Sequence, residues 1–110
     1  MAQQLRIDVR LPQGHWAGDV TRAHPSATLR IEQHMPLSKG RGTARCWSNE
    51  DLHATVSDHA GIDKCTDAED GRFSVDISAG GGGFLRPLVD LGVVPRTPFE
   101  VRDGWVEWTV

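Results

Sequence analysis

Four side chains in the middle of the sequence are of the types that hold a metal ion. Cys46, His53, His59 and Cys65 are separated by six, five and five residues. Thiolate sulfur and imidazole nitrogen are ligands that zinc and copper take. The spacing is neither that of a finger nor that of a paired knuckle. On a helix over 49–60, the two histidines would stand about 120° apart around the axis, so they would not chelate from one face. Cys46 and Cys65 would have to meet across a sheet, with one histidine joining them. The spacing therefore weighs toward structural roles, with small buried cysteines and surface histidines. Zinc at this cluster is the one cofactor the sequence suggests; otherwise none is expected.

Other residues raise other chemistry. Gly80 to Gly83 precede Phe84-Leu85-Arg86. Backbone N–H groups at Gly81, Gly82 and Gly83, with Arg86 for charge, could cradle an anion at a helix start. The run lacks the Lys-Ser/Thr of a P-loop, and a plain flexible connection explains it equally well. His15, His24, His34 and several carboxylates could move protons. Nothing in the order places a nucleophile beside a base, so catalysis is not expected. His24-Pro25 reads as a helix stop, with His24 able to cap the last turn. Four tryptophans are many for a core of this size. Trp105 falls on the opposite face of its strand from Val106 and Trp108, so it reads as an exposed interface residue.

These side chains need a frame. Leu5, Ile7, Val9 and Leu11 alternate with charged residues, as in a half-buried strand. Trp16, Val20 and Ala23 have helical spacing. Leu29 and Ile31 mark a second strand running to about Met35-Pro36. Ser38 to Gly42 is a loop, and Thr43 to Trp47 a third strand. Ser48 is a candidate N-cap, with Asp51 in the capping-box position, for a helix carrying Leu52, Val56 and Ala60. Gly61 closes that helix. Ile62 to Thr66 is a short strand, 67–71 an acidic turn, and Phe73, Val75 and Ile77 a further strand. Residues 84–91 read as a short helix capped by Gly92. Asp103-Gly104 between apolar alternations predicts a two-residue hairpin pairing Val101 with Val106, Phe99 with Trp108 and Glu100 with Glu107. The order predicts an α+β, ferredoxin-like βαββαβ fold with helices on one face of an antiparallel sheet. A further strand, a short helix and a C-terminal hairpin would extend it.

Composition narrows the function. The chain has 110 residues, with 38% hydrophobic and 25% charged, enough for one domain over 1–110 with one core. Its net charge of −3 argues against a free-standing nucleic-acid binder. No apolar run approaches the roughly 20 residues of a membrane span. Met1-Ala2-Gln3-Gln4 does not open a secretory signal. Two cysteines make no disulfide scaffold, so a reduced cytoplasmic setting is expected. Ten arginines against two lysines suggest a GC-rich or halophilic source.

An ordered set of segments resembles the N-terminal domain of haloarchaeal helix-turn-helix transcription regulators related to the bacterio-opsin activator. The segments begin with Leu5-Arg6-Ile7-Asp8-Val9-Arg10-Leu11-Pro12 and Trp16. Asp19-Val20-Thr21-Arg22-Ala23-His24-Pro25-Ser26-Ala27 is similar to the family's D-V-S-R-x-H-P-D-A. Leu85-Arg86-Pro87, Gly92-Val93, Pro98-Phe99 and Asp103-Gly104-Trp105-Val106-Glu107-Trp108 are similar to its later segments. Family members continue to a C-terminal helix-turn-helix, whereas this sequence stops at Val110. It would therefore be a shortened relative or an excised piece, and no DNA contact carries over. The resemblance implies a regulatory or protein-interaction domain that senses a ligand or self-associates. The alternative is a stand-alone small-molecule or metal-binding protein using the Cys/His cluster.

Overall fold

A computed structural model of the chain describes residues 6–78 and 97–109. Seven strands and two helices lie within them. In chain order these are β1 (Arg6–Arg10), α1 (Trp16–Ala23), β2 (Leu29–Pro36), β3 (Gly42–Ser48), α2 (His53–Ser57), β4 (Ile62–Asp67), β5 (Arg72–Ile77), β6 (Phe99–Arg102) and β7 (Trp105–Thr109). All strands join one sheet in the order β1-β7-β6-β2-β3-β5-β4. Every neighbouring pair is antiparallel.

The period-two patterns decide which face is buried. Leu29 and Ile31 pair with Val101 and Phe99 on one side. On the other side, Ile31 pairs with Cys46, and Cys46 with Phe73. These residues are all buried, in one cluster with Trp16, Ala17 and Val20 of α1 and Val56 of α2. Both helices therefore cover the same face. Each large apolar side chain taken from water there contributes about 1.5–3 kcal/mol.

The α+β class and the antiparallel sheet match the expectation. The ferredoxin-like arrangement expected of the first six elements is not seen: among the described residues the β6–β7 hairpin separates β1 from β2 and β3, and β5 stands between β3 and β4. The β6–β7 hairpin stands between β1 and β2. Its apolar face complements both neighbours. Val101 lies beside Leu29 of β2, and Val106 beside Val9 of β1.

Three hairpins turn on the same device. Lys39-Gly40, Asp70-Gly71 and Asp103-Gly104 all have positive φ. Two consecutive positive φ values give the type I′ twist that joins antiparallel strands without splaying them. The Asp103-Gly104 register is as expected, with Val101 opposite Val106 and Glu100 opposite Glu107. The like charges are neutralised by arginines. Arg102 and Arg30 reach Glu100 at 3.1 and 3.7 Å, and Arg6 pairs with Glu107.

α2 is shorter than expected, and Ser48 is not its cap. Ser48 Oγ accepts from the Glu50 N–H at 3.2 Å, and Asp51 Oδ1 from the His53 N–H at 3.0 Å. These local bonds hold the backbone in turns until His53, in competition with helix. The expected helix over 84–91, its Gly92 cap, and the anion site at Gly81, Gly82, Gly83 and Arg86 lie outside the described residues.

Candidate functional site

The helical layer and the edge of the sheet meet at β4. Cys65 and Asp67 are two apart on that strand, so both side chains leave it on the same face. They flank Val75 and Phe73 of β5, whose side chains are buried. α2 packs over β4 and sets its first residue, His53, above them. His53 Nδ1 lies 2.9 Å from Asp67 Oδ1 and 3.6 Å from Cys65 Sγ. One turn on, Ser57 Oγ stands 3.4 Å from the other ring nitrogen, Nε2. The three candidate ligand atoms all fall within 4.8 Å of one another. Burial raises the Cys65 thiol pKa, and a hydrogen bond with Ser57 offsets part of that rise.

Two of the four sequence-nominated ligands are thus brought together, and two are not. Cys46 is 1% exposed on β3, with β5 lying between its strand and β4. It serves as a small core residue opposite Ile31 and Phe73. Burial drives its thiol far above the ordinary range, so it stays protonated. His59 turns away to α1. Its Nδ1 accepts from the Gly61 N–H at 2.9 Å, so Nε2 holds the proton and donates to Asp19 Oδ2 at 2.8 Å. Asp67 is the third candidate ligand, which the sequence reading missed. Its signal was the Cys-x-Asp alternation on a strand beside a helix-borne histidine.

Asp19 gathers donors from three places. Besides His59 it receives Arg22 at 2.8 Å and the Gly14 N–H at 3.1 Å. Burial opposes its ionised form, but these hydrogen bonds outweigh it and hold the carboxyl below its usual pKa. The cluster ties α1 to the segment after α2. Asp19→Ala is expected to cost about 2 kcal/mol, since hydrogen bonds to a charged group are lost. Urea unfolding measures this, and a loss below about 0.5 kcal/mol would show the tie to be idle.

The other histidines are structural as well. His15 is buried and caps α1, its Nδ1 accepting from the Ala17 N–H at 3.2 Å. His24 is the C-cap residue of α1, and its ring meets Thr55 Oγ1 at 2.7 Å. His34 projects from β2 opposite Ala44, and desolvation lowers its pKa.

The second candidate is the sheet face that the two described helices leave uncovered. Trp105 is 48% exposed there, between Arg10 of β1 and Arg102 of β6. Two strands further on, Arg30 lies over the Trp47 ring, 4.7 Å from its centroid. Arg72, next to Trp47 on β5, reaches Glu32 at 3.3 Å. Tryptophan and arginine side by side on a sheet face offer stacking area and directed charge together. Among the described residues, no helix is long and apolar enough to cross a membrane. No protein-family model matches this sequence, and no curated protein or solved structure is significantly similar to it.

Proposed function

We propose that this chain is a non-catalytic regulatory or protein-interaction domain of an archaeal transcription regulator, working in the cytoplasm. It acts through self-association on the open sheet face, and ligand sensing would bias that association. The observation that carries this reading is Trp105, half exposed between Arg10 and Arg102 on a seven-stranded sheet. Large rigid aromatics and arginines are the residues most enriched at binding hot spots. Their acidic neighbours Glu100 and Glu107 give the face both signs of charge, which suits contact with a second copy. The segments that resemble those of the haloarchaeal regulators supply the transcriptional context.

Sedimentation equilibrium over a concentration series tests the proposal. A reversible dimer is expected. Trp105→Ala should weaken it by a factor of about 30, as for loss of a hot-spot residue worth about 2 kcal/mol. The melting temperature at low concentration should not change. A mass that stays monomeric at every concentration would overturn self-association.

A further inference from the structure

We infer that His53 Nδ1, Cys65 Sγ and Asp67 Oδ form a three-ligand site for a zinc-class divalent cation, with the fourth position open to solvent. This inference is independent of the open sheet face and goes beyond the proposed function.

The convergence carries the argument. Cys65 and Asp67 approach the same ring nitrogen, at 3.6 and 2.9 Å. A surface ion pair would need only the carboxylate. A metal needs all three donors around one point. With bonds of about 2.3 Å to sulfur and about 2.0–2.1 Å to nitrogen and oxygen, tetrahedral angles place sulfur about 3.6 Å from nitrogen. They place nitrogen about 3.3 Å from oxygen. The observed sulfur–nitrogen separation already has that value, and the nitrogen–oxygen pair needs to open by a few tenths of an ångström. The donors are one sulfur, one nitrogen and one oxygen, a mixed set that suits borderline zinc rather than calcium or magnesium.

The surroundings fit as well. With Nδ1 as the ligand, the ring proton sits on Nε2, and Ser57 Oγ is 3.4 Å from that atom to receive it. Such an outer partner orients a ligating imidazole. His53 and Asp67 side chains are 42% and 63% exposed, so ions enter without unfolding the core. Their exposure also leaves room for a water, or for a donor from another molecule, at the fourth position.

Binding releases the Cys65 thiol proton to solvent. Affinity therefore rises with pH while the thiol is protonated in the metal-free protein.

The test is zinc titration of the metal-free chain against a chromogenic chelator, paired with cobalt(II) absorption. One equivalent of zinc is expected. Cobalt should show a thiolate charge-transfer band and the intense visible bands of tetrahedral coordination. Cys65→Ser and His53→Gln should each weaken binding more than about 100-fold, beyond the loss of a mere outer partner. Ser57→Ala should weaken it about tenfold. His24→Gln should leave it unchanged. Asp67 is at the surface, so Asp67→Asn tests the third ligand with the fold intact, and circular dichroism checks each variant. Absence of stoichiometric zinc, a cobalt spectrum without the thiolate band, or full affinity in both Cys65→Ser and His53→Gln would each overturn the site.

Discussion

Acidifying the protein from pH 6.5 to pH 4 is expected to remove about 3 kcal/mol of folding stability through His15 alone. His15 is 6% exposed at the start of α1. Burial lowers its pKa from 6.5 to about 4. Asp19 opposes that shift, while His59, Arg22 and His34 add to it. Between those two values the unfolded chain binds a proton that the folded chain refuses. Stability is therefore complete above about pH 6.5 and falls as the pH drops toward 4. The hydrogen bonding agrees in sign. Nδ1 accepts the Ala17 N–H, and a protonated ring would set two N–H groups against each other there. His34, whose pKa burial also lowers, adds in the same direction. Urea midpoints measured across this range check the slope. His15→Asn keeps a capping oxygen without a titrating ring and should flatten the profile. An unchanged acid profile in that variant would remove His15 from the account.

The second large effect is expected at Gly71. It occupies the left-handed region at φ 78°, beside Asp70 at φ 61°, in the turn between β4 and β5. A methyl group there would stand 2.6 Å from the Ser48 carbonyl oxygen and 3.1 Å from Trp47 Nε1. The carbonyl belongs to backbone at the end of β3 and has little freedom, because the Ser48 N–H is itself bonded to the Gly71 carbonyl at 3.0 Å. Left-handed strain of about 1–2 kcal/mol adds to an overlap of about 1–3 kcal/mol. Gly71→Ala should therefore lose about 2–5 kcal/mol in equilibrium unfolding. A loss under about 1 kcal/mol would mean that this turn slides away from β3 freely. The same turn follows Asp67, so the variant should also weaken zinc binding even though it removes no ligand.

Local signals in the sequence foretold local structure well. The strands around Ile7, Leu29, Ala44, Phe73 and Val101 alternate because each has one face on the core. Asp103-Gly104 named its own turn type. Asp70-Gly71 carried the same signal, but among Asp67, Glu69 and Asp70 it read only as an acidic turn. The sheet order was not legible. Whether β2 lies beside β1 or β6 depends on side chains some 70 residues apart, which no local pattern encodes. α2 was overextended because its apolar spacing of four continues into Ala60, while Ser48 and Asp51 spend their side chains on preceding turns. At the candidate metal site, residue types pointed to His53 and Cys65. Position around a helix could not reveal that His59 faces Asp19, or that Asp67 comes up beside Cys65 from the strand.

The outer two of the described strands, β1 and β4, have a consequence for how this molecule meets others. A bare strand edge invites another chain to add on and extend the sheet into a ribbon or fibre. β1 places Arg6, Asp8 and Arg10 along its length, and β4 carries Asp63, Lys64 and Asp67. β4 is further broken by a bulge between Ile62 and Lys64. Charge on one rim, and charge with a kink on the other, deny an incoming strand a clean register. End-to-end growth is discouraged at both of these rims, which leaves the face that bears Trp105 and Trp47 as the surface for the proposed self-association.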